Sequence, residues 1–160
     1  MKLYQDKKGF SMAYPDDWSV NEIEHGLLFT PDVKEDNEEG KFRKNLVFII
    51  QKLPEGMTLK QYSTQNVAQI KREIAVKSAS AIEDATIYGM SARSITLTVD
   101  NEGSLMTIKQ SWFMVASIAF SFTFTANADA YEATLPNAQA IVDSFSLKVW
   151  EDRNTPIPQQ

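Results

Sequence analysis

The chain contains no cysteine. Disulfides, thiol nucleophiles and cysteine-ligated metals are thereby excluded, although the compartment is left open. Its only histidine is His25, so a tight zinc site built on imidazole ligands has no ligand set. No uninterrupted apolar run approaches the roughly 18 residues that a membrane-spanning helix needs. Positive charge is in deficit: 16 Lys and Arg stand against 21 Asp and Glu, a net charge of −5. The basic residues cluster only briefly, at Lys7-Lys8, Lys41-Arg43-Lys44 and Lys71-Arg72. They form no stripe that would track nucleic-acid phosphates, so no nucleic-acid partner is expected. A Gly-rich phosphate loop, a Gly-x-Ser-x-Gly elbow and a His-Glu-x-x-His helix are also missing.

What remains is the composition of an ordinary globular chain: 160 residues, 43% hydrophobic and 23% charged. That is enough to bury a full core in one domain, expected over residues 1–150. Residues 151–160, with Pro156 and Pro158, read as a flexible tail. No internal repeat or linker interrupts the chain. Residues 1–6 lack the apolar core of a signal peptide. Two compartments stay open: the cytoplasm, or a periplasmic or lipoprotein-anchored envelope location if a leader has been trimmed.

The first half opens on Phe10, Met12 and Tyr14 alternating with smaller residues, the period of a strand with one buried face. Pro15 ends that strand, Asp16-Asp17 favour a turn, and Trp18 brings a large body that must pack. Residues 26–31 form a second strand ending at a proline, and residues 32–44 a polar loop rich in Asp and Glu. Residues 45–51 (Asn-Leu-Val-Phe-Ile-Ile-Gln) predict a strand buried on both faces. Thr58 with Gln61 is a capping box that starts a helix running to about Glu73.

The second half changes period from helical to two. Strands are expected over 80–88, 91–99, 105–114 and 118–125. Asn101 and Gly103 are expected to supply positive φ at one reversal, and Ala116-Ser117 make another. A helix with Pro136 in its first turn then offers Ala138, Ile141, Val142 and Phe145 to the sheet. An antiparallel sheet covered by helices, α+β rather than alternating βαβ, follows from this order.

Taken together these residues resemble the PsbP-like family, which includes the photosystem II extrinsic protein and the DcrB-like envelope proteins. The family opening, Tyr…Gly-Phe-x-x-x-Tyr-Pro-x-x-Trp, is met by Tyr4, Gly9, Phe10, Tyr14, Pro15 and Trp18. Further matches are Phe29 before a polar insertion, Asn45 opening an apolar strand, Thr58-Leu59 with Tyr62, Pro136, and the closing Ser144-Phe145. The resemblance spans residues 4–148 and implies a three-layer α-β-α sandwich. It also implies a non-enzymatic accessory or binding role through protein contacts, in the bacterial envelope. Some members of the fold serve as chaperones of type VI secretion effectors. The second reading is accordingly a cytosolic chaperone-like module holding an apolar helix of such an effector. No cofactor is implied, and neither the partner nor the oligomeric state is fixed.

Several polar residues are candidate sites by residue type alone. His25, between Glu24 and Gly26, reads as a solvated turn residue rather than a catalytic base. Asp16 and Asp17 are adjacent in a turn, where carboxylates diverge, so they are not expected to act as an acid/base pair. Asp32, Glu35, Asp36, Glu38 and Glu39 lack the ligand spacing of a calcium loop. No catalytic, cofactor or metal residue is therefore assigned. The one candidate surface is a partner groove formed by Phe120, Phe122 and Phe124 with Met106, Trp112 and Met114, the methionines supplying adaptable contacts. The simpler reading of the same residues is a sheet face buried under a helix.

Overall fold

A computed structural model describes residues 1–32 and 44–147. Most of the acidic loop and the whole 151–160 tail lie outside these residues. The described chain is mostly antiparallel β-sheet with two helices. Its elements run β1 (Lys2–Gln5), β2 (Phe10–Tyr14), β3 (Trp18–Ile23), β4 (Gly26–Pro31), β5 (Asn45–Lys52), α1 (Leu59–Glu73), β6 (Ala75–Ala79), β7 (Glu83–Ile87), β8 (Met90–Asn101), β9 (Ser104–Val115), β10 (Ile118–Asn127), α2 (Tyr131–Asp143) and β11 (Ser146–Leu147). An eight-stranded sheet has the order β3-β4-β5-β10-β9-β8-β6, with β7 also paired to β8. A smaller sheet, β1-β2-β11, joins the two ends of the described chain through the pairs Ser11–Ser146 and Phe10–Leu147.

The turns set which residues share a face. At the β8–β9 reversal Glu102 (φ 52°) and Gly103 (φ 89°) are the two central residues. Two consecutive positive φ values match the twist of paired strands, and Gly103 takes its value without a Cβ penalty. The expected donor of positive φ, Asn101, instead ends β8 opposite Ser104. The β9–β10 connection is likewise two residues long, because Val115 pairs Ile118. A two-residue turn pairs each odd residue of β9 with an even residue of β10, so Phe113 lies opposite Phe120 and Trp112 opposite Ser121.

The two faces of the large sheet bury different clusters. One holds Leu46, Phe48, Phe113, Phe120, Phe122 and Phe124 beneath Ile141 and Val142 of α2, with Phe10 and Met12 of the small sheet. Phe145, just past α2, sits at its centre, with ring centroids 5.3–5.7 Å from Phe48, Phe113, Phe120 and Phe122. Trp18, only 1% exposed, packs into the same cluster, as the size of its side chain requires. The other face holds Ile95, Leu97, Val99, Met106, Ile108 and Trp112 beneath Tyr62 and Val67 of α1. That helix lies against β6, β8 and β9, so β5 is not fully buried on both sides as its composition suggested. Leu46 and Phe48 are buried, whereas Val47 and Ile49 on the alternate face are half-buried.

Both helices start differently from one another. Thr58 and Gln61 exchange hydrogen bonds, Gln61 N–H to Thr58 Oγ1 at 3.1 Å and Thr58 N–H to Gln61 Oε1 at 2.9 Å, which completes the capping box. α2 begins five residues before Pro136, with Ala130 as an N-cap lacking a side-chain bond. Pro136 is thus inside the helix rather than in its first turn, where it denies the Glu132 carbonyl its intrahelical donor. Such a proline costs about 3 kcal/mol in an isolated helix. Burial of Ala138, Ile141 and Val142 against the phenylalanines offsets it. Ser144 ties the far end down: its Oγ accepts the Ala13 N–H at 2.8 Å and lies 2.6 Å from the Ile141 carbonyl oxygen.

Candidate functional site

The six residues expected to line one groove are divided between the two faces. Phe120, Phe122 and Phe124 are covered by the α2 cluster, whereas Met106 and Trp112 are covered by α1 and Met114 packs against that second cluster. All but Met114 are buried, and Trp112 has no exposed surface. The physical reason is the odd–even register set by the Ala116-Ser117 turn, which sends the even residues of β9 to the side opposite the phenylalanines. Thr107 and Thr123 likewise lie on different faces, since Thr107 pairs Ala126 while Thr123 pairs Gln110.

The polar candidates occupy turns and edges. His25 takes φ 62° in the β3–β4 reversal, with Nε2 3.4 Å from the Glu24 carboxylate and both side chains largely exposed. Asp16 pairs with the N-terminal ammonium at 3.2 Å, and the Asp17 carbonyl accepts the Asp32 N–H at 2.8 Å. Both therefore serve the chain's own turns. Asp32 hydrogen-bonds Ser19, while Glu35, Asp36, Glu38 and Glu39 fall outside the described residues. Among the described residues no group of three or more His, Asp or Glu side chains converges as a metal site.

Polar groups do converge beside His25, in a cleft of about 380 Å³ where the β1–β2 hairpin meets the β3–β4 turn. Its buried lining is Phe10 and Leu27, with Ile50 half-buried. Its polar lining includes Asp6, Glu22, Lys7 and Lys8. Gly26, at the cleft's edge, lets β4 approach β5 closely, since a Cβ there would overlap the Phe48 carbonyl. Tyr4 spans the opening: its hydroxyl lies 3.0 Å from Asp6 Oδ1 and 2.9 Å from Glu22 Oε1. Asp6 Oδ2 accepts the Lys8 N–H at 2.8 Å, which fixes the hairpin turn and with it the carboxylate. Burial, and then the hydrogen bonds to Glu22 and Asp6, raise the Tyr4 phenol well above its ordinary value. The arrangement holds a neutral phenol between two carboxylates, with the exposed side chain of Ile23 at the rim.

Sequence reasoning used Tyr4 only as part of a motif and did not single out Glu22. Their separation of 18 positions falls on two strands of different sheets, so neither helical nor alternating periodicity brings them together. The clue present in the sequence was an Asp before Lys-Lys-Gly, a turn that folds β1 back over the sheet.

An antiparallel sheet carrying two helices, closed at one end by a hairpin from the N-terminus, defines the class of fold. Residues 1–147 match the PsbP-like protein family, and the chain belongs to it. LpqN of Mycobacterium tuberculosis, described as involved in cell envelope biogenesis, superposes with a TM-score of 0.73 at 17% identity, covering 92% of this chain and 91% of LpqN. CyanoP, the cyanobacterial PsbP of Synechocystis sp. PCC 6803, gives 0.63 at 16% identity and covers 91% of each chain. The Ran-binding protein Mog1p of Saccharomyces cerevisiae gives 0.60 at 8% identity, covering 91% of this chain and 94% of Mog1p. At such identities the likeness carries the fold alone. No curated protein matches the chain.

Proposed function

We propose that this PsbP-like chain is a non-enzymatic accessory protein of the bacterial envelope that binds a protein partner at the Tyr4–Glu22 cleft. The two covered faces of its large sheet are read as the α-β-α layering of the family. One observation carries the functional reading: in this cleft charged and apolar groups converge at an open surface, between strands at the ends of the two sheets. β1 and β3 are both terminal in their sheet orders. A partner segment entering there meets unpaired strand edges, a charged rim and an apolar base, the combination that strand-type recognition uses. The envelope location draws support from LpqN, and binding from the Ran-binding Mog1p. The chaperone-like alternative finds less support, because the residues that would receive an apolar helix are under α1 and α2.

Photo-crosslinking in the native host tests the reading. A benzophenone side chain at Ile23, on the cleft rim, is expected to give a discrete protein adduct that the same group at exposed Glu73 does not. Equal labelling from both positions, or none from Ile23, overturns the cleft as a partner site. Turnover on an ester and phosphoester panel, abolished by His25→Ala, overturns the non-enzymatic role.

A further inference from the structure

Three polar atoms are shut away from solvent with no hydrogen-bond partner among the described residues: Arg93 Nε, Gln110 Oε1 and Trp112 Nε1. They belong to neighbours. Arg93 lies directly opposite Trp112 in the β8–β9 ladder, and Gln110 is two residues from Trp112 on the same face. Cross-strand partners on one face root their side chains about 5 Å apart, and residues two apart on a strand about 7 Å. All three sit on the face that α1 covers. Ser63 of α1, fully buried, accepts a hydrogen bond from the Arg93 guanidinium at 3.3 Å and donates to the Lys60 carbonyl at 3.1 Å. Its one proton is thereby committed, and none of the three atoms has a partner on α1.

The three valences are complementary to one small molecule. Arg93 Nε–H and Trp112 Nε1–H are donors, and Gln110 Oε1 is an acceptor. Buried polar atoms in folded proteins are almost always paired, directly or through ordered water. A water molecule accepts twice and donates twice, and a buried one makes about three hydrogen bonds to protein. We infer that the sheet beneath α1 contains a built water site, in which one buried water accepts from Arg93 Nε–H and Trp112 Nε1–H and donates to Gln110 Oε1. α1 would then dock over an apolar cluster that contains a hydrated polar site, whereas α2 docks onto a stack of phenylalanines.

The test is read on the whole, ¹⁵N-labelled protein. The indole N–H signal of Trp112 is assigned by its loss in Trp112→Phe. Water-selective NOE and ROE spectra are expected to show a long-lived water contacting both this proton and the Arg93 Nε–H. Absence of that contact overturns the proposal, and this readout on the wild-type chain requires no variant to fold. Gln110→Leu supplies an independent sign. With a water in place, the substitution removes its acceptor and strands two donors, so the thermal midpoint falls and the Trp112 water contact disappears. In a dry site, the substitution deletes an unpaired acceptor and the midpoint rises. A saturable shift of the Trp112 indole signal on titration with acetate or chloride would assign the site to an anion and overturn the water assignment.

Discussion

Tyr4 has one phenol proton and two carboxylate neighbours, Asp6 at 3.0 Å and Glu22 at 2.9 Å. Burial first, then the hydrogen bonds to Glu22 and Asp6 and their negative charges, disfavours the phenolate, so the folded state keeps its proton beyond the ordinary value near 10. Above about pH 10 the unfolded chain releases this proton while the folded chain retains it. The native state then binds more protons, and stability falls as pH rises. The contribution is fully present below the unfolded-state value and disappears as pH climbs through the folded one. Buried Tyr62 and Tyr131 are raised in the same direction, chiefly by burial. Tyr4→Phe is therefore expected to make the decline of stability above pH 10 shallower without abolishing it, as read from urea midpoints between pH 8 and about 11. Parallel curves for wild type and variant would show that the phenol is not held between the carboxylates. None of this was legible from residues 4, 6 and 22 in isolation, because the contact depends on how the small sheet settles on the large one.

At the scale of elements, the helices differ in what they bury. α1 buries Tyr62, Ser63 and Val67, and one of those three is polar. α2 buries Tyr131, Thr134, Ala138, Ile141 and Val142, and Phe145 follows it into the aromatic cluster. Apolar burial is the main source of helix stability in a protein, since short helices are marginal alone. Backbone amides of α1 are thus expected to exchange through local opening at a lower free energy than those of α2, whose exchange should follow global unfolding. Hydrogen exchange across a low-denaturant series measures both. Coincident opening free energies for the two helices would refute the difference. α1 was also the element most legible in the sequence, because the Thr58–Gln61 capping box is a local signal. Likewise Gly26–Pro31 was bounded by a glycine and a proline. The start of α2 was not legible, since Ala130 makes no side-chain cap and Pro136 marks a false beginning. β6 and β11 escaped notice because their residues are mostly exposed or half-buried, so no apolar alternation announces them.

For the whole molecule, the apolar alternation of β9 and β10 announced two strands, but which side each apolar residue faces depended on one count. Taken strand by strand, the alternation gives each an apolar face but does not say whether the two faces coincide. The Ala116-Ser117 turn makes paired positions sum to an odd number, as Val115 with Ile118 shows. Trp112 and Phe122 then cannot share a face, and the proposed groove becomes two separate cores. The central β-sheet lies between these cores, with no buried residue common to both clusters. Substitutions on opposite faces should therefore be energetically independent. Leu97→Ala empties space under α1 and is expected to cost about 2–5 kcal/mol, and Ile141→Val under α2 about 0.5–1.5 kcal/mol. Both sites are fully buried, at 0% exposure, so the full cavity penalty applies. The double variant should lose the sum of the two, within about 0.5 kcal/mol, in two-state denaturant unfolding. An interaction energy well above that would mean that the sheet transmits strain between its faces, and that the two cores act as one.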